Sequence, residues 1–142
     1  MGANGKVIWK KDGLAFKAIA GSGYTIDLKS DSDLEKSGGG PMELIAVGLA
    51  GCTAMDVISI LKKKRQDVID FEVRVDTRSA DTYPKVWTYV QVEYIVTGNN
   101  IDPEAVERAI ELSTEKYCPA HNLISKAVDI ETTYQILEAQ VN

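Results

Sequence analysis

The order of apolar and polar positions divides the chain into three parts. In the first, short apolar runs are cut by turn residues. Val7-Ile8-Trp9 ends at Lys10-Lys11-Asp12-Gly13, where Asp-Gly is a hairpin signal, and Leu14 to Ile19 supplies the returning strand. Gly21-Ser22-Gly23 marks a second turn, after which Tyr24-Thr25-Ile26-Asp27-Leu28 alternates as a strand. Residues 29–40 are polar and glycine-rich. They read as a loop whose end, Ser37 with Gly38 to Gly40, is a flexible approach to a helix. The first part is therefore expected to be a three-stranded antiparallel meander.

The second part, residues 41–65, is a near-continuous apolar block. Pro41 suits a first helical position, and Lys62-Lys63-Lys64-Arg65 opposes the negative end of the helix dipole. Between them Leu44, Ile45, Val47, Leu49, Met55, Val57, Ile58, Ile60 and Leu61 go almost all the way round the helix. A helix apolar on every side is buried, in a core or in a membrane. Glu43 and Asp56 shorten the uncharged run below the roughly 20 residues of a span, and no Trp or Tyr belt flanks it. The reading is a central core helix.

In the third part alternation returns. Ile69 to Arg78 switches between apolar and charged residues throughout, as a strand with one wet face does. Asp81-Thr82-Tyr83-Pro84 makes a turn, and Val86 to Thr97 is a long β-branched and aromatic strand stopped by Gly98-Asn99-Asn100. Asp102 caps a helix with Pro103 in its first turn; Val106, Ala109, Ile110 and Ser113 form its buried face, and it runs to about Tyr117. Cys118-Pro119 restarts a short helix through Leu123, Ile124 and Ala127, and Val128 to Ile136 alternates as a last strand. The order β-β-β-α-β-β-α-(α)-β, with strands in antiparallel pairs about a long buried helix, predicts an α+β domain spanning 1–142. Its parts are 1–40, 41–65 and 66–142.

Composition narrows the functional classes. At 142 residues with 44% hydrophobic and 26% charged residues, the chain reads as one globular domain. A net charge of -5 argues against a nucleic-acid or anionic-membrane surface, so neither partner is expected. The N-terminus lacks the apolar stretch of a signal peptide, and Lys6 stands where a myristoylation motif has Ser or Thr. A cytoplasmic location is therefore expected. There, two cysteines serve transient chemistry or core packing rather than a permanent structural bridge.

Cys118, at a helix start, would gain thiolate character from the helix dipole; Cys52, within the long helix, would not unless the helix breaks near Gly48. Glu43 serves either as a dipole-favoured cap or as an acid beside Cys52. Nine residues at about 100° each put the two on opposite sides of a straight helix, so a shared site needs a break at Gly48 or Gly51. The one histidine, His121, reads as an ordinary partly exposed residue, and one His with two Cys and no CxxC is a poor zinc framework. No phosphate loop and no serine elbow is present. Trp9, Phe16, Trp87 and Tyr89 are expected in the core or lining an apolar pocket.

Pro41-Met42-Glu43-Leu44-Ile45, Gly51-Cys52 and Tyr117-Cys118-Pro119, in this element order, resemble the OsmC/Ohr superfamily of osmotically induced and organic-hydroperoxide-resistance proteins. The stretches Gly51 to Leu61 and Leu112 to Cys118 look most like its YhfA-like branch. The resemblance implies an intertwined homodimer with active sites at the subunit interface. It also implies a thiol-dependent hydroperoxide reductase without metal or flavin. Cys52 would be the peroxidatic thiolate and Cys118 the resolving thiol, forming a Cys52–Cys118 disulfide that an external dithiol reduces. Glu43 would hold a thiolate-stabilising cation. Characterised peroxidases of the family place an arginine before the central helix; here no arginine precedes Arg65, and Lys11 or Lys29 stands near the corresponding positions. Lysine lacks arginine's bidentate fork. The alternative is a non-enzymatic dimer of the same fold that holds a small apolar ligand.

Overall fold

The computed structural model describes residues 2–30 and 39–139. Most of the expected loop, including Ser37 and Gly38, lies outside them. The chain forms two compact units, residues 1–45 and 46–142.

The first unit holds β1 (Gly5–Trp9), β2 (Phe16–Ala20) and β3 (Thr25–Leu28) in one antiparallel sheet in sequence order. Val7 faces Ala18, and Phe16 faces both Trp9 and Leu28. The expected meander is present, with a wider first turn than a bare Asp-Gly hairpin. Lys11 and Gly13 both take positive φ, and the Trp9 indole donates to the Gly13 carbonyl at 3.0 Å. Trp9 is thereby held at an exposed turn and not in a core as expected. Beyond the undescribed stretch, Gly39 bridges to Leu28 and hands the chain to α1 (Pro41–Lys63).

The second unit contains β4 (Asp67–Ser79), β5 (Trp87–Asn99), α2 (Pro103–Leu112), α3 (Pro119–Ile124) and β6 (Ile130–Glu138). β5 is the middle strand, and Val90, Val92, Tyr94 and Val96 along one of its faces are fully buried. They pack with Leu49, Val57 and Leu61 of α1 and with Ala105, Val106, Ala109 and Ile110 of α2 in one core. β4 repeats the sequence alternation: Phe71, Val73 and Val75 turn inward while Glu72, Arg74 and Asp76 face water. Gly98 lets the β5 backbone close on β4. A Cβ there would collide with the Asp67 carbonyl and approach Ile101 Cδ1 at 2.7 Å.

Two expectations are corrected. β6 pairs with β5 in parallel, Val90 beside Ile130 and Gly98 beside Glu138, so the sheets are not all antiparallel. The intervening helices carry the chain back to the starting end of β5, and such a crossover permits a parallel neighbour. Nor does this chain bury α1 all round. The core stands on one side only, so one stripe at four-residue spacing is covered: Leu49, Thr53, Val57 and Leu61. Val47 and Met55 remain 65% and 73% exposed. With 23 residues, most of them apolar, α1 is long and apolar enough to cross a membrane. Core helices of soluble proteins share that property.

A candidate thiol site at the cysteine pair

Thr53 belongs to the buried stripe of α1, and Cys52 precedes it, half-buried at the edge of that stripe. Cys118 is brought up by a different device. α2 starts at Asp102, whose carboxylate accepts from Glu104 N at 3.0 Å, but after Leu112 the helix widens into a π-turn over Ser113–Tyr117. That turn closes with Cys118 N donating to the Ser113 carbonyl at 2.7 Å. The chain then leaves the helix in extended conformation at Cys118, and Pro119 opens α3. Widened turns of this kind are frequent at functional sites.

The Cys118 side chain is fully buried and caps α3, its sulfur accepting from His121 N at 3.3 Å. Burial pushes the Cys118 thiol up to about 12, and the neighbouring Cys52 adds to the rise against the opposing backbone contact from His121. A helix start had marked Cys118 as the more activated thiol. Six residues of helix and one N–H do not offset the loss of water around the sulfur. Cys118 is a protonated thiol whose surroundings include Cys52, and both cysteines are free thiols.

Beside the pair runs a chain of hydroxyls that the sequence did not reveal. Tyr94 Oη lies 2.7 Å from Thr53 Oγ1, Thr53 Oγ1 lies 2.8 Å from Ser113 Oγ, and Ser113 donates to Asp56 Oδ2 at 3.0 Å. Each hydroxyl has a single proton. Ser113 spends its proton on Asp56, so it accepts from Thr53, and Thr53 in turn accepts from Tyr94. Tyr94, Thr53 and Ser113 have no exposed surface. Burial raises Tyr94 to about 12, so its phenol keeps its proton. One signal for this chain was available: Thr53 is the polar member of an otherwise apolar stripe.

The other candidates fall elsewhere. Glu43 lies in the first unit, at the third position of α1, and accepts from Gly40 N at 3.1 Å, which is half of a capping box. α1 runs unbroken from Pro41 to Lys63, so the break near Gly48 is absent. Lys11 and Lys29 also belong to the first unit, Lys11 in the β1–β2 turn and Lys29 after β3 with its N–H on the Gly39 carbonyl at 3.2 Å. Of the proposed set, Cys52 and Cys118 share the second unit, and Glu43, Lys11 and Lys29 belong to the first. His121 is half-buried, as a partly exposed residue should be. Burial lowers its pKa, and its buried Nδ1 has no hydrogen-bond partner among the described residues. Among those residues no group of three His, Cys, Asp or Glu is arranged to hold a metal ion.

Residues 11–133 match the family profile described as OsmC-like protein. Protein YhfA of Escherichia coli K12 is 38% identical over 128 residues, covering 90% of this chain and 94% of the relative. An OsmC-like protein from Mycoplasma pneumoniae superposes with a TM-score of 0.82 at 17% identity, covering 96% of this chain and 98% of its own. The organic hydroperoxide resistance protein OhrB of Bacillus subtilis superposes with a TM-score of 0.66 at 17% identity, covering 95% and 98%. The last two likenesses establish the fold.

Proposed function

The chain belongs to the OsmC-like family, and we propose that this member is a thiol-dependent peroxidase acting on organic hydroperoxides. The observation that carries the proposal is the pairing of a half-buried Cys52 with a buried, protonated Cys118. The Cys52 thiolate attacks the terminal peroxide oxygen. An S–O bond forms, the O–O bond breaks, and the alkoxide takes a proton to leave as an alcohol. Cys52 is then a sulfenic acid. Cys118 attacks that sulfur, its proton leaves with the hydroxyl group as water, and a Cys52–Cys118 disulfide remains. An external dithiol reduces the bridge and is itself oxidised to a disulfide. No metal or organic cofactor enters the scheme.

The working form is a cytoplasmic homodimer. Exposed Val47 and Met55 on an apolar helix support the dimer, since a second copy would cover them. The deciding experiment is consumption of cumene hydroperoxide with dithiothreitol, wild type beside Cys52→Ser. Turnover lost in the variant upholds the proposal; equal rates overturn it. Cys118→Ser is expected to accumulate the Cys52 sulfenic acid.

A second reading draws support from a different feature. In the first unit a cavity of about 400 Å³ is lined by Val7, Ala18, Ile19, Ile26, Leu28 and Leu44, with few polar groups. A dimer using this cavity to hold a small apolar ligand would bind it unchanged in Cys52→Ser.

A further inference from the structure

Ser113 occupies a position where a hydroxyl is costly. The α2 residues before it on the same face, Ala105, Val106, Ala109 and Ile110, are apolar and buried, and Ser113 itself has no exposed surface. An alanine would fill that place without a group to desolvate. The serine hydroxyl instead bonds twice to α1, to Thr53 and to Asp56, the first and fourth residues after Cys52. Its carbonyl holds the backbone N–H of Cys118. One residue therefore ties the helix that carries Cys52 to the π-turn that ends on Cys118. From the far side, Asn122 Nδ2 donates to the Thr114 carbonyl at 3.2 Å and to the Cys118 carbonyl at 2.8 Å, so Cys118 is gripped at both ends of the turn.

We infer that Ser113 is a positioning residue: through its bonds to Thr53 and Asp56 it fixes the approach of Cys118 to Cys52, and so sets how readily the two sulfurs join. The inference rests on the Cys52–Cys118 pairing in the proposed function, and it concerns the sulfur–sulfur step rather than the attack on peroxide. Joining the sulfurs with glutathione disulfide as oxidant balances without peroxide. Two thiols lose their hydrogens and form one S–S bond, while glutathione disulfide is reduced to two glutathione thiols. The equilibrium constant of that exchange measures the effective concentration of one thiol at the other.

The test equilibrates the wild type, Ser113→Ala, Ser113→Thr, Asp56→Ala and Tyr94→Phe in glutathione redox buffers, then quantifies the Cys52–Cys118 disulfide by alkylation and mass spectrometry. Ser113→Ala is expected to lower the constant about tenfold or more, a shift of about 30 mV per tenfold. Ser113→Thr, which keeps the hydroxyl, restores most of it. Asp56→Ala shifts it in the same direction by a smaller factor. Tyr94→Phe removes a buried hydroxyl from the same chain without touching Ser113, and leaves the constant unchanged. A Ser113→Ala constant equal to wild type overturns the inference, as does a Tyr94→Phe shift as large as that of Ser113→Ala. If Ser113→Ala does not fold, an unchanged constant in Asp56→Ala overturns it alone. A wild type that forms no Cys52–Cys118 disulfide at any glutathione ratio removes the resolving role of Cys118, and this inference falls with it. A normal wild-type disulfide with an unmoved Ser113→Ala constant defeats the inference only.

Discussion

In residues 46–142, β5 carries Val90, Val92, Tyr94 and Val96 with no exposed surface, whereas in residues 1–45 Val7, Ile8 and Trp9 of β1 are 55%, 51% and 53% exposed. Both strands are rich in β-branched and aromatic residues. The connections separate them. β5 returns to β6 through helices, and those helices cover a face of the sheet. β1, β2 and β3 are joined by turns alone, so the meander brings no second layer of its own. Three short hairpin-linked strands are marginal without something to pack on. The contrast teaches that sheet propensity and sheet burial are separate properties, and that the second is decided by what lies between the strands.

The largest expected effect tests the better-packed unit. Leu61→Ala should lower the stability to urea unfolding by about 2–5 kcal/mol, the usual cost of emptying a core leucine site. Ile8→Ala should cost below about 0.5 kcal/mol, as surface substitutions do. Equal losses would break the comparison and mean that β1 is covered in solution. Second, Met55→Glu, on the uncovered side of α1, should convert a dimer to a monomer at micromolar concentration by light scattering. A dimer that survives the added charge would place the subunit contact elsewhere.

A third test uses pH. Cys118 and Tyr94 are both raised to about 12 by burial, from ordinary values of 9.0 and 10.0. A raised pKa means that the folded form keeps its proton where the unfolded chain has lost it. Stability from these groups is full below pH 9 and falls as pH climbs through the window toward 12. By pH 10.5 the loss should reach about 3 kcal/mol, read as a lower urea midpoint than at pH 8. No loss in the Cys118→Ala, Tyr94→Phe double variant would assign it to these two groups. The smallest effect belongs to Glu43→Gln, which keeps the oxygen that accepts from Gly40. Stability should change by less than about 0.5 kcal/mol. A large fall in peroxide turnover at unchanged stability would assign Glu43 a role beyond the cap.

The strands, the long helix and the start of α2 were legible because each writes its own period or cap into nearby residues. Ile69 to Arg78 could only alternate as an exposed-faced strand, and Asp102-Pro103 could only open a helix. The parallel course of β6 was not legible, since Ile130 to Glu138 alternates in the same way beside a parallel or an antiparallel neighbour. The cysteine pair lay beyond local reading for a similar reason. Cys52 and Cys118 are far apart in sequence, and their meeting depends on how α2 and the π-turn pack on α1. A helix start at Cys118 was correctly placed, but its electrostatic consequence was not, because the depth of burial is a tertiary property. Ser113 was assigned correctly to the buried face of α2. Its partners Thr53, Asp56 and Tyr94 come from two other elements and could not be counted from the sequence.

The π-turn between Ser113 and Tyr117 also shapes how this region tolerates change in length. Its bonds reach one residue farther back than those of α2, so it accommodates one more residue than an α-helical turn would. Removing one residue from Thr114-Glu115-Lys116 would let the helix continue regularly and swing the downstream chain by about 100°. Every side chain of the thiol site would still be encoded, yet Cys118 would point away from Cys52. For this stretch, keeping the count between Ser113 and Cys118 matters more than keeping the residues counted.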